Sequence, residues 1–298
     1  MGVSASRKYA IAARSGAPEP IRLHGHSGAQ LLLLARGTAH VVRKTAGAVC
    51  QNERLLAQAE QQHQLHFSGV AVPRIFETGI DASGHAFFEM EYVPGQSVAN
   101  AVGEAMVFDP GAVVAALSRL FDFLKLTANG TVPAAAFHAK IAQIAATDNA
   151  ACRGYGERIA GAAGRLAAFD WSGIPQSAGH GDLTLENILI SPSGVIFIDC
   201  DVCFSSSYWL DAAKLFQDVH GHWCLRQHYR RGGPALVNAI QQMRDFELPL
   251  RRLAGAIDRD LPERLASLTA FHLFRTLPYV REAAIAGFVL DRLERVLS

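Results

Sequence analysis

The stretch His180-Gly181-Asp182-Leu183-Thr184-Leu185-Glu186-Asn187 sets an aspartate five positions ahead of an asparagine, and Asp199 follows twelve residues after that. Phosphoryl transfer needs such a set. One carboxylate orients an attacking hydroxyl and takes its proton. An amide oxygen and a second carboxylate hold a hard cation, Mg²⁺, against nucleotide phosphates. The spacing assigns the first role to Asp182 and the metal-holding roles to Asn187 and Asp199. The apolar run Val195-Ile196-Phe197-Ile198 is a strand that delivers Asp199. The plain alternative is a surface loop with a capping aspartate and a turn asparagine.

Positioning these groups falls to a chain of 298 residues, half of them hydrophobic, with a formal net charge of +1. That charge gives no bulk attraction to nucleic acid or membrane surfaces. No apolar run approaches the ~18 residues of a membrane span. No charged start followed by an apolar stretch marks a signal peptide. Five scattered cysteines do not read as a disulfide framework, so a cytoplasmic setting is expected. Strands are expected at Ile21 to Leu23, Gln30 to Leu34, Ala39 to Lys44, Val72 to Phe76 and Ala86 to Tyr92. A helix capped by Asn52 should run to Phe67. Beyond Pro94-Gly95 the chain reads as helical over 111–125, 135–147, 156–169 and from Tyr208 onward, with breaks at Gly232-Gly233-Pro234 and Pro249. One short β segment, Asn187 to Asp199, interrupts it. The implied architecture is α+β: a small N-terminal antiparallel-sheet lobe, 1–93, and a larger helical C-terminal lobe, 94–298.

His180 to Leu189 and Phe197-Ile198-Asp199-Cys200-Asp201 resemble the aminoglycoside phosphotransferase and choline kinase group, a small-molecule branch of the protein-kinase-like two-lobe fold. There, glycine often stands where protein kinases carry the Arg of H-R-D. Tyr208-Trp209-Leu210-Asp211-Ala212-Ala213-Lys214-Leu215 resembles the D-x-A segment of that group, whose aspartate buttresses the catalytic loop. The resemblance therefore implies a structural role for Asp211. It covers roughly residues 20–215 and is most specific over 180–215. Where protein kinases place Gly after D-F, this chain has Asp201, either a further metal ligand or a solvent-facing carboxylate.

The resemblance also implies a nucleotide site for ATP. Gly25-His26-Ser27-Gly28-Ala29 has the small residues that let backbone N–H groups and the Ser27 hydroxyl approach phosphates, with Gly28 as the turn. It falls short of a full G-x-G-x-x-G, and a hairpin turn would look the same. Val41-Val42-Arg43-Lys44 resembles V-A-I-K. Strand alternation puts Val42 and Lys44 on one face, and a slip of one residue would substitute Arg43. The carboxylate partner of that lysine is expected about a dozen residues before Val72-Pro73, which selects Glu60 over Glu53. Met90-Glu91-Tyr92-Val93-Pro94-Gly95 resembles the hinge linker of the group. Glu91 C=O and Val93 N–H would face adenine, with Met90 behind the base.

The expected activity is ATP- and Mg²⁺-dependent transfer of the γ-phosphate to a hydroxyl of a small molecule: a sugar, an amino alcohol or an antibiotic-like acceptor. About eleven residues separate Asp199 from Asp211, too few for a peptide-docking segment, which disfavours a protein kinase. A pseudokinase-like scaffold would have no need of all three of Asp182, Asn187 and Asp199. Arg226, Arg230, Arg231, Arg244, Arg251, Arg252, Arg259 and Arg264 lean the acceptor toward a neutral or anionic molecule. His220, His222 and His228 read as helix packing or cleft lining, because no carboxylate or cysteine completes a metal-ligand spacing.

Overall fold

Short β-branched and leucine-rich runs separated by turns build an antiparallel sheet. The structure, a computed structural model, describes residues 20–23, 28–202 and 205–298. Ser27, expected at the phosphates, lies outside the described residues. In chain order the first elements are β1 (Ile21–Leu23), β2 (Gln30–Arg36), β3 (Ala39–Thr45), α1 (Asn52–Phe67), β4 (Ile75–Ile80) and β5 (Ala86–Glu91). The strands lie in the order β1-β2-β3-β5-β4. Asn52 does not cap α1. Its amide instead donates to Gly84 O (2.8 Å) and accepts from Ala86 N (2.7 Å), fastening the turn that precedes β5. The strand expected from Val72 starts only at Ile75. Pro73 has no N–H for a ladder, and its carbonyl is taken by Gln62 Nε2 at 2.7 Å.

The chain divides into two compact units. One takes in the described residues up to Leu56 together with Ile75–Tyr92, and the other holds Ala57–Arg74 and Val93–Ser298. The second half of α1 thus belongs with the helical part of the chain.

In that second unit the chain leaves Pro94-Gly95 as β6 (Gln96–Ser97), a strand not expected from the sequence, which pairs with β7 (Ile188–Ser191). Gly95 is required there: a side chain would run into the Ile190 carbonyl oxygen at 2.6 Å. β7 and β8 (Gly194–Phe197) form the expected hairpin. The helices are α2 (Val98–Gly103), α3 (Pro110–Leu126), α4 (Ala134–Ala145), α5 (Gly156–Ala167), α6 (Tyr208–Val219), α7 (Arg226–Arg231), α8 (Pro234–Ile257), α9 (Leu261–Thr276) and α10 (Ala283–Leu297). Pro249 lies inside α8 and does not end it. Interior proline costs about 3 kcal/mol. Burial of Phe246, Leu250, Leu253 and Ile257 along one face of α8 offsets it, at about 1.5–3 kcal/mol per side chain. Phe137 stacks on Trp171 at 4.6 Å, with Phe271 against both, and this aromatic group centres the helical core that carries α6 and α9. No described helix is long and apolar enough to cross a membrane.

Candidate active site

In the first unit, antiparallel pairing sets Lys44 opposite Phe88 and Arg43 opposite Glu89. Adjacent residues of a strand face opposite sides. Arg43 is accordingly drawn to Glu89 (2.7 Å), which Arg36 also holds at 2.7 Å, and its guanidinium lies 4.1 Å from the Phe87 ring centroid. Lys44 shares its face with Val42 and is 3% exposed. A lysine is rarely so buried without a purpose for its charge. Gly28 adopts a positive φ of 76°, and its carbonyl packs so closely on Gly47 that no side chain fits at position 47. Met90 pairs with Val42 on β3, and Glu91 ends β5 exposed. Val93 opens the second unit.

The second unit carries Asp182, Asn187 and Asp199. The loop from His180 leads into a single 3₁₀ turn, Leu185–Asn187, because Asn187 N bonds back to Thr184 O at 3.0 Å. That turn folds Asn187 over Asp182. Its Nδ2 donates to Asp182 O (2.8 Å) and to Asp182 Oδ2 (3.1 Å). With the amide NH₂ so engaged, the carbonyl oxygen is the end left for a cation. Asp199 is tethered to the same loop on both sides: Ile198 N donates to Asn187 O and Asp201 N to His180 O, each at 2.9 Å. Its own φ is 59°, the left-handed region that costs a non-glycine residue about 1–2 kcal/mol. The flanking bonds hold that strained backbone in place. Asp182 and Asn187 are thus in direct contact, and the backbone on either side of Asp199 is tied to their loop. Asp199 and Asn187 carry oxygens of the hard kind that could hold Mg²⁺.

α6 fixes this loop with charged residues at i, i+3 and i+7 of an otherwise apolar helix. Asp211 Oδ2 accepts from His180 N (2.5 Å) and Oδ1 from Gly181 N (2.8 Å), the buttress expected of it. Asp218 accepts from Leu185 N (2.7 Å) and Cys224 N (3.0 Å). Between them, Lys214 Nζ lies 2.8 Å from Asp182 Oδ1. Burial pushes Asp182 upward, but the Lys214 charge and hydrogen bond, with the Arg275 charge behind them, hold its carboxyl below the usual range. Burial drives His180 and His272 below the ordinary imidazole range, so both rings stay neutral.

Glu60 stands exposed on α1 and takes a hydrogen bond from Gln64 (2.9 Å); Glu53 is exposed as well. The polar side chains that turn inward on this stretch are glutamines. Gln58 donates to Asp201 Oδ1 at 2.5 Å, and Gln61 donates to Gly179 O. Asp201, left open between metal ligand and solvent, thus has one oxygen committed to Gln58. Five of the eight arginines that inclined the acceptor toward an anion are tied to carboxylates: Arg226 to Glu186, Arg230 to Glu282, Arg251 to Glu247, Arg259 to Asp260 and Arg264 to Asp170. His220 pairs with Glu247 (3.2 Å) and His222 with Tyr229 (2.6 Å).

Burial raises Asp211 and Asp218 to about 7, against the pull of their backbone N–H partners. In the unfolded chain both ionise in the ordinary carboxylate range. From there up to about pH 7 the unfolded state holds fewer protons, so their contribution to stability falls as pH rises and then levels. Buried neutral His180, His222 and His272 act in the opposite sense up to about pH 6.5. The measurement is therefore differential. Between pH 5 and 8, urea unfolding should show wild type losing about 2 kcal/mol relative to Asp218→Asn. A constant difference across that range would refute the raised carboxyl.

A family model described as the phosphotransferase enzyme family, APH, matches residues 22–252. No curated protein sequence matches the chain. Among solved structures it is similar to aminoglycoside phosphotransferase APH(3'')-Id from Streptomyces rimosus in complex with ADP and streptomycin, at 20% identity over 82% of this chain and 94% of that one, TM-score 0.52. It is similar to aminoglycoside phosphotransferase APH(4)-Ia at 13% identity over 94% of this chain and 93% of that one, TM-score 0.60. A fructosamine-3-kinase homologue from Haemophilus somnus is 14% identical over 94% and 92%, TM-score 0.54. At these identities the likeness is one of fold.

Proposed function

The chain belongs to the phosphotransferase enzyme family, and from that premise we propose that it transfers the γ-phosphoryl group of ATP to a hydroxyl of a small molecule, with Mg²⁺ at Asn187 and Asp199. The observation that carries this reading is the Asp182–Asn187 contact, with the backbone flanking Asp199 tied to the same loop. A structural loop has no need to hold an ionised carboxylate, 37% exposed, against an amide and an ammonium. Similar folds bind ADP with an aminoglycoside, which agrees with a nucleotide and a hydroxylated acceptor.

In this reading Asp182 orients the acceptor hydroxyl. The oxygen attacks the γ-phosphorus, the bond to the β-phosphate oxygen breaks, and the hydroxyl proton passes to Asp182 as ADP leaves. Bound at Asn187 and Asp199, Mg²⁺ would offset charge on the phosphate oxygens. Lys44 adds positive charge for the same phosphates, and Gly28 with its neighbour Ser27 supplies the phosphate turn. Met90, Glu91 and Val93 receive the adenine. Glu60 is assigned no part, since its carboxylate is turned to Gln64. Positioning and electrostatics supply the rate, as phosphoryl transfer leaves little covalent work to the protein.

The test couples ADP release to acceptor screening with sugars, amino alcohols and aminoglycosides, beside thermal shifts with nucleotide. ATP with Mg²⁺ should stabilise wild type more than ATP alone, and Asp199→Ala should lose that difference. Equal shifts with and without Mg²⁺, together with ATP hydrolysis no faster than in Asp199→Ala, would sink the proposal.

A further inference from the structure

The sequence left Lys214 without a role, inside a segment read only for its buttressing aspartate. We propose that Lys214 is a catalytic residue of the phosphoryl transfer: its ammonium steadies Asp182 and meets the oxygens of the phosphoryl group in flight. The inference rests on the phosphotransferase reading above and names a residue which that reading does not require.

Three observations carry it. First, Nζ lies 2.8 Å from Asp182 Oδ1, while Asn187 Nδ2 holds Oδ2 at 3.1 Å. Both oxygens of the reacting carboxylate are thereby fixed, one by an amide and one by a full positive charge. Second, α6 presents Asp211, Lys214 and Asp218 to the same loop. Asp211 and Asp218 spend their oxygens on backbone N–H groups at 180, 181, 185 and 224. Lys214 alone of the three reaches a side chain that the chemistry uses. Third, the Lys214 side chain is 14% exposed. Desolvating a lysine to make one ion pair is a poor way to gain stability, and an apolar residue of similar volume commonly does as well or better. A functional demand accounts for the charge more directly.

The chemistry explains the demand. A cation against a general base weakens its basicity, which would be a defect if proton removal limited the reaction. In a loose phosphoryl-transfer transition state the carboxylate chiefly needs to be ionised and aimed, while charge spreads over three equatorial oxygens. An ammonium has three donors. One serves Asp182. Among the described residues Nζ has no other hydrogen-bond or ion-pair partner, so the remaining two are open to phosphoryl oxygens beside the attacked atom. No proton leaves Lys214 in this role. It donates hydrogen bonds that strengthen as the phosphoryl group moves from ADP to the acceptor oxygen.

The experiment compares wild type with Lys214→Met, which keeps the stem and removes the charge, and Lys214→Arg, which keeps the charge. Thermal shifts are read with ADP and Mg²⁺, then with aluminium fluoride added as an anionic mimic of the transferring group. Wild type should gain a second increment with the fluoride. K214M should keep the ADP–Mg²⁺ shift and lose the second increment, and K214R should retain part of it. In steady state K214M should lower kcat about 10²- to 10³-fold with KM for ATP changed less than about threefold. Should K214M fail to fold, Lys214→Gln is read the same way. A K214M or K214Q protein that keeps the full fluoride increment overturns the proposal, as does a wild type that shifts with ADP–Mg²⁺ but gains nothing from fluoride. A wild type with no ADP–Mg²⁺ shift at all strikes instead at the phosphotransferase reading.

Discussion

Asp182→Asn is expected to reduce kcat by about 10³- to 10⁴-fold while leaving the thermal shift with ATP and Mg²⁺ intact. Asparagine is close in shape to aspartate. Its carbonyl can still accept the Lys214 hydrogen bond now made to Oδ1 at 2.8 Å, and Asn187 still has the Asp182 backbone carbonyl at 2.8 Å. The loop therefore keeps its shape. What is gone is the negative charge that orients the hydroxyl and accepts its proton, together with the weaker Asn187 bond to Oδ2 (3.1 Å), where an NH₂ now stands. Asp182→Ala is the less clean variant, because it strands a mostly buried ammonium and mixes loss of chemistry with loss of stability. The measurements are kcat with the best acceptor, KM for ATP, and melting temperature with and without nucleotide. A D182N enzyme that keeps more than about a tenth of wild-type kcat would remove Asp182 from the proton's path.

What the sequence disclosed of this site follows from which interactions are local. Asp182 stands three residues ahead of the 3₁₀ turn that ends in Asn187, and a five-residue spacing is enough to predict that they meet. The β7–β8 hairpin brings Asp199 back by a tight turn, so its arrival was also legible. Lys214 and Asp218 reach the loop across more than thirty residues of sequence. A signal for them existed: charges at i, i+3 and i+7 on a helix whose remaining positions are almost all buried. The glutamines of α1 gave no such signal. Gln58, Gln61 and Gln62 sit in a polar run with Glu60 and Gln64, indistinguishable in composition from a solvated face. Only tertiary packing shows that Gln58 and Gln62 turn inward at 6% and 2% exposure while Glu60 does not. β6 was invisible because a two-residue strand has no periodicity to read. Pro249 misled because a local penalty was weighed without the burial that outweighs it.

Gly181→Ala should be the most damaging single-methyl change in the second unit. Gly181 has φ 85°, which costs an alanine about 1–2 kcal/mol on its own. The added methyl would also overlap the carbonyl oxygen of Asp201. That oxygen belongs to backbone, and it cannot retreat freely. The same residue donates its N–H to His180 O at 2.9 Å, and Gly181 N is anchored on Asp211 at 2.8 Å. Relief requires breaking the tether that brings Asp199 beside the catalytic loop. This is a physical reason for a glycine before Asp182, where any side chain would force the two segments apart. Gly194→Ala is the control. It lies at the β7–β8 turn with φ 117°, and a methyl there meets nothing within 4 Å. G194A should cost only about 1–2 kcal/mol from its backbone and keep activity. G181A should lose a further 1–3 kcal/mol beyond that, roughly the cost of an overpacked contact, and fall below about 1% of wild-type kcat. Equal destabilisation of the two variants, or an active G181A, would show that the segments at 181 and 201 do not press together as described.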